Sequence, residues 1–360
     1  MSMTKNLHDL GQSLWLDNIT REILDDGTLR RYIEQFSVTG LTSNPTIFDE
    51  AIGKTAAYDK GIRQKAAAGM SGEDLFIELA LEDLRRAADL FRPEFDRTKG
   101  IDGWVSMEVS PLLANDTQST IDAALRIHRE ANRPNLYVKI PGTPAGVPAI
   151  EEAIFAGVPI NVTLLFSREQ YLKVADAYMR AMERRIAAGL DPKINSVASV
   201  FVSRWDRAVA EKVPADLSNR LGIAIMQRTY KAHCDLITGK RWKDLEAKGA
   251  RKQRMLWAST GTKDPKSPPG LYVEALAAPD TIDTMPEKTL LTFAQSGKLN
   301  GVMRTDGGEA EDTLARFARA GINVEALAAQ LQVDGAASFV KSWTELMQRI
   351  KDKSAALATT

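Results

Sequence analysis

Eight short apolar runs alternate along this chain with longer segments of helical apolar spacing. The runs are SLWLDN (13–18), VTGLTSN (38–44), WVSMEVS (104–110), LYVKIP (136–141), INVTLLF (160–166), NSVASVFVS (195–203), RMLWAST (254–260) and DTIDTMP (280–286). A strand that is followed by a helix before the next strand must cross over the sheet, which makes neighbouring strands parallel. Eight such repeats predict an α/β protein, a (β/α)8 TIM barrel, with a doubly wound open sheet as the alternative fold. The helices carry their own end signals. SREQYLKVADAYMRAMERRIAAG (167–189) opens on a Ser cap with Gln170 three residues on and closes at Gly189. LSNRLGIAIMQRTYKAHCDLITG (217–239) has helical apolar spacing and ends at Gly239. No linker rich in Pro, Gly and Ser divides the chain, so residues 1–360 are expected to form one barrel domain. Residues 45–103, after strand two, are expected to be a helical decoration, and 307–360 to be C-terminal helices packing on the barrel.

Side chains alternate between the two faces of a strand. One set is apolar and suits a helix-facing surface: Leu14 and Leu16; Val105, Met107 and Val109; Val138 and Ile140; Val162, Leu164 and Phe166. The opposite set then points into the barrel. It contains Asp17, Asn44, Glu108, Lys139, Asn161, Thr163 and Ser199, most of them near the carboxyl ends of their strands. Barrel enzymes keep their active sites at that end, and an ordinary barrel core holds branched apolar residues instead. Each residue alone has a structural explanation. Asn44-Pro45 and Thr143-Pro144 read as helix N-caps followed by Pro, and Thr143 is given that role alone. Asp17 would serve as a cap, and Lys139 with Glu108 as a buried ion pair. These explanations leave the shared face unaccounted for.

A buried lysine that loses its proton is a nucleophile toward carbonyls and forms a Schiff base. The iminium draws electrons from a C–C bond two atoms away, and two proton shuttles are then needed. Asp17 and Glu108 suit those roles, Asn44 and Asn161 suit a polyol, and Thr163 suits holding a water against Glu108. Arg204 just past strand six and Lys263 just past strand seven suit phosphate, with solvated surface cations as the plain reading. The PGTPAG turn (141–146) lacks the spacing of a phosphate loop.

Other classes are argued against. Lys plus Arg and Asp plus Glu are 47 each, so no net field favours nucleic acid or a membrane surface. The single cysteine, Cys234, excludes a disulfide framework and a cysteine metal cage, and it reads as packing on an amphipathic helix. His8, His128 and His233 lie outside the strand-like runs, so neither a His metal site nor a triad is expected. The opening residues show no apolar signal region, which predicts a cytoplasmic protein. Small-molecule sugar phosphates are the expected partners, and the chain is expected to be a monomer or homodimer.

The residues also carry a family resemblance. GLTSNPTIF (40–48) resembles the first transaldolase signature, and NLYVKIPGTPAG (135–146) with INVTLLFS (160–167) resembles the region around that family's Schiff-base lysine. The likeness runs from WLDNITRE (15–22) to the C-terminal helices and is greatest to the longer single-chain bacterial type. It implies a decorated class I aldolase barrel in the pentose phosphate pathway, without cofactor. Such an enzyme moves a dihydroxyacetone unit from sedoheptulose 7-phosphate to glyceraldehyde 3-phosphate, giving erythrose 4-phosphate and fructose 6-phosphate. By resemblance, Lys139 is the Schiff-base lysine and Asp17 the acid/base at the C4 hydroxyl. Glu108 with Thr163 activates the imine water, while Asn44, Asn161 and Ser199 bind the dihydroxyacetone hydroxyls. Arg204 matches a phosphate arginine, and Lys263 stands in for a second one. Fructose-6-phosphate aldolase, a shorter relative, has a tyrosine and a glutamine where this chain has Phe201 and Glu108. Two alternatives therefore stand beside the transferase: an aldolase of that kind, and a non-catalytic sugar-phosphate-binding barrel.

Overall fold

The computed structural model describes residues 2–262 and 264–358. Eight strands are present: β1 (Ser13–Asp17), β2 (Val38–Thr42), β3 (Val105–Glu108), β4 (Leu136–Pro141), β5 (Ile160–Leu165), β6 (Ser196–Phe201), β7 (Arg254–Ala258) and β8 (Ile282–Met285). They form one parallel sheet in the order β2-β1-β8-β7-β6-β5-β4-β3. A parallel bridge between Gly40 and Trp104 joins the two ends, with Leu41 N–H donating to Trp104 O at 3.0 Å. The sheet is thus a closed barrel wrapped by helices, the (β/α)8 fold, and the open-sheet alternative is excluded.

Two of the helix signals act where the sequence places them. Ser167 and Gln170 form a reciprocal capping box on the helix Arg168–Ala187. Asn44 accepts from the Ile47 N–H and caps the helix Pro45–Lys54. The expected Thr143 cap is corrected: Thr143 accepts from the Gly146 N–H, but the helix Gly146–Phe155 begins two residues later than a Thr143-Pro144 cap would start it, with Ala145 at the N-cap position. Three helices lie between β2 and β3: Pro45–Lys54, Asp59–Ala67 and Gly72–Arg97. After β8 come Glu287–Ser296, Ala310–Arg319 and Val324–Ala358, the last 35 residues long. Among the described residues no helix is long and apolar enough to cross a membrane.

The alternation fails at one place that shapes the site. Val162 pairs with Ala198, but Leu165 pairs with Val200, so β5 carries one residue more than β6 over the same span. Leu164 absorbs it in the left-handed region, at φ 57°. The bulge reverses the parity beyond it. Leu165, not Leu164 or Phe166, continues the helix-facing row begun by Val162. A Cβ on Gly142 would meet Leu165 and Val162 together with Val174 of the covering helix. Leu164 and Phe166 turn toward the helix Val324–Ala358, against Gly335. Their assignment to the row of Val162 is therefore corrected: they face the C-terminal helix, not the helix that covers Val162 and Leu165.

The barrel interior is also polar only in part. Its lower layer is aromatic: Trp15, Trp104 and Tyr137 are at most 2% exposed, and the Trp104 and Tyr137 rings stack 4.0 Å apart. Gly40 is required here, since a Cβ would lie 2.6 Å from both Trp15 Nε1 and Trp104 O. Above this layer Ser106, Asn161 and Ser199 form a hydrogen-bonded tier. Asn161 donates to Ser106 Oγ at 3.2 Å and accepts from Ser199 Oγ at 2.7 Å.

Candidate active site

Above that tier, at the carboxyl ends of the strands, a cavity of about 660 Å³ opens. Its lining includes Asp17, Asn44, Lys139, Thr163, Ser199, Phe201 and Arg204. Glu108 and Asn161 are buried beside them, Glu108 level with Lys139 and Asn161 accepting from Ser199. Neighbouring strands bring them together: Glu108 is paired with Lys139 across β3 and β4, and Lys139 with Asn161 across β4 and β5. Nine of the ten sequence-derived candidates are thus gathered at one end of the barrel. The tenth, Lys263, lies outside the described residues.

Lys139 is only 6% exposed. Its Nζ donates to Ser43 O at 3.0 Å and stands 3.1 Å from Glu108 Oε2. That is ion-pair distance, yet neither Glu108 oxygen accepts a well-directed hydrogen bond. Thr163 Oγ1, equally buried, has no partner among the described residues. Buried polar atoms are nearly always satisfied, so these are the groups that solvent or a ligand must serve. Burial raises the Glu108 carboxyl above its ordinary range, and the Lys139 ammonium opposes that shift. Asp17 is held differently: Thr42 Oγ1 lies 2.7 Å from Asp17 Oδ1 and 2.7 Å from Thr284 Oγ1. Thr42, Ser43, Ser106 and Thr284 are site residues that the sequence reading passed over. Thr42 and Ser106 share the inward parity of Gly40 and Glu108, and that parity was the signal available.

At the rim, Arg204 lies in the helix Ser203–Val209, just after β6. Its guanidinium carbon sits 5.0 Å from the Phe201 ring and 5.7 Å from the Phe339 ring. Among the described residues its guanidinium enters no hydrogen bond or ion pair. Burial pulls it below its ordinary value, with the Glu108 carboxylate pulling back. It stays charged, and its donors are unspent. No group of His, Cys, Asp and Glu suited to a metal ion occurs among the described residues.

A closed parallel barrel with an amine and two carboxyls converging at its carboxyl end is a barrel enzyme with a catalytic mouth at that face. Known proteins narrow this. The family described as Transaldolase/Fructose-6-phosphate aldolase matches residues 14–350. The chain is 41% identical to a transaldolase of Saccharopolyspora erythraea, an alignment covering 96% of each chain. It is 40% identical to transaldolases of Thermobifida fusca, over 99% of each, and of Thiobacillus denitrificans, over 97% of this chain and 100% of that one. The chain belongs to the transaldolase/fructose-6-phosphate aldolase family, and it is an enzyme of the transferase class.

Proposed function

We propose that the protein transfers a dihydroxyacetone unit from a ketose phosphate to an aldose phosphate through a Schiff base on Lys139. The observation that carries this reading is the Lys139 amine, enclosed within the barrel 3.1 Å from Glu108 at the base of a polar cavity. In the proposed sequence, the neutral amine attacks the C2 carbonyl of the donor. The carbinolamine loses its hydroxyl as water, with Glu108 delivering the proton and Thr163 holding the departing water. Asp17 then takes the C4 hydroxyl proton as the C3–C4 electron pair moves toward the iminium nitrogen. The aldehyde fragment leaves, and a three-carbon enamine stays on Lys139. An acceptor aldehyde enters, the new C–C bond forms, Asp17 returns the proton, and hydrolysis frees the ketose. Ser199, Asn161 and Asn44 serve as hydroxyl ligands, and Arg204 holds the phosphate.

Transfer is favoured over release of free dihydroxyacetone by Phe201. Its ring lies 5.4 Å from Phe166 and brings no hydroxyl to the cavity wall, so the enamine has no phenol beside it to organise a protonating water. The proposed substrates are sedoheptulose 7-phosphate and glyceraldehyde 3-phosphate, and the protein acts as a monomer or homodimer in the cytoplasm without nucleic-acid partners. Borohydride trapping in the presence of fructose 6-phosphate tests the chemistry. A stable adduct mapped to Lys139 is expected. No adduct, or one on another lysine, would overturn the proposal in favour of a binding barrel.

A further inference from the structure

The helix Val324–Ala358 lies against the cavity mouth and contributes Ser338 and Phe339 to its wall. Its placement there is specified in detail. Gln332, 9% exposed, donates from Nε2 to Gly142 O and to Leu164 O, each at 3.0 Å. These carbonyls end β4 and mark the bulge of β5, so the left-handed turn at Leu164 presents the acceptor that sets the helix register. Gly335 follows three residues on, roughly one helical turn. A Cβ there would stand 2.9 Å from Leu164 Cδ2 and 3.0 Å from Arg204 Nη1, so the helix backbone packs close to the guanidinium and a side chain at this position would displace its neighbours. One turn further, Phe339 lies against Arg204, which also meets Phe201 from the barrel.

The two rings attract the cation, and its N–H donors make no hydrogen bond or ion pair among the described residues. Rotamer freedom is thereby lost before ligand arrives, which lowers the cost of binding. We propose that Phe339 and Gly335 are positioning residues of the phosphate subsite: they fix the Arg204 guanidinium so that its edge is offered to a substrate phosphate, making this helix a determinant of selectivity for phosphorylated sugars. The inference rests on the reading of Arg204 as the phosphate ligand. It adds that the selectivity is built partly from an element outside the barrel.

The test compares glyceraldehyde 3-phosphate with glyceraldehyde as acceptors in Arg204→Ala, Phe339→Ala, Phe339→Tyr and Gly335→Ala. In Phe339→Ala, the preference in kcat/KM for the phosphorylated acceptor should fall roughly 3- to 30-fold, the range of one cation–π contact, with the loss mainly in KM. Phe339→Tyr should restore it. Gly335→Ala, which pushes the helix off Arg204 without removing a ring, should show the same selective loss and gives the reading even if Phe339→Ala fails to fold. Equal losses for both acceptors, or none, would mark the helix as purely structural and overturn the inference. Arg204→Ala separates the two levels. If it loses selectivity while the helix variants keep theirs, only the positioning role fails. If it keeps selectivity, the phosphate role of Arg204 fails as well.

Discussion

The ammonium of Lys139 lies 3.1 Å from a Glu108 carboxylate, and both side chains are at most 7% exposed. A pair so enclosed adds little net stability, but removing one partner strands the other. Lys139→Met should abolish turnover and adduct formation, and cost about 3–5 kcal/mol while Glu108 remains ionised. Without the ammonium, the Glu108 carboxyl moves further above its unfolded value. A carboxyl raised on folding costs stability as pH rises through its folded value. The gap in melting temperature between parent and variant should therefore be wider at pH 8 than at pH 5. A gap of the same size at both would show that the pair is not the coupled unit described.

The two carboxyls should separate kinetically. Glu108→Gln should slow imine formation, read as the rate of borohydride trapping, by about 10²–10⁴. Asp17→Asn should still be trapped with fructose 6-phosphate, yet release aldehyde more slowly by a similar factor of about 10²–10⁴. The reverse pattern would exchange the two roles.

Phe201→Tyr would bring a phenol to the cavity wall. Release of free dihydroxyacetone from fructose 6-phosphate should rise, measured by coupled reduction without an acceptor aldehyde. No release above the parent level would remove Phe201 as the residue that keeps the enamine waiting. The variant also changes a face on which Arg204 rests, so the preference for phosphorylated acceptors should be followed in the same protein.

Asp283 on β8 gives a prediction outside the chemistry. It is fully buried; Thr260 Oγ1 donates to Oδ1 at 2.8 Å, and Oδ2 has no hydrogen-bond partner among the described residues. Burial pushes this carboxyl up to about 7, against the donation from Thr260. The folded state thus holds a proton that the unfolded state releases near pH 4, and stability falls between those values. Over about three pH units at ~1.4 kcal/mol each, the fall attributable to this group is about 4 kcal/mol. Urea unfolding of Asp283→Asn should show a flatter dependence between pH 4 and 7. A parallel dependence in both proteins would mean that Asp283 is not the group responsible.

Much of the barrel was readable because strand and helix periods differ and because some helices bring their own caps, as at Ser167 and Asn44. The polar convergence was readable through parity, which needs no knowledge of distant contacts. Parity also pointed at Trp15, Trp104 and Tyr137, which share the inward register of Asp17, Glu108 and Lys139, but attention to polar residues left the aromatic layer unnoticed. The bulge at Leu164 had no local signal. Leucine has no preference for positive φ, and the turn is imposed by surrounding structure. Nor did anything near position 339 tie that phenylalanine to Arg204, 135 residues earlier in the chain. Such a juxtaposition exists only after the helix has crossed the mouth.

The indoles and phenol packed beneath Lys139 have a kinetic meaning. They fill the barrel axis beneath the amine, and the cavity that reaches it opens at the carboxyl ends of the strands. On the proposed chemistry, the first aldehyde must leave by that opening before the second comes in, and the two can never occupy the nucleophile's side together. Initial-rate plots against donor at several acceptor levels should then run as parallel lines, the mark of a covalent relay rather than of a ternary complex.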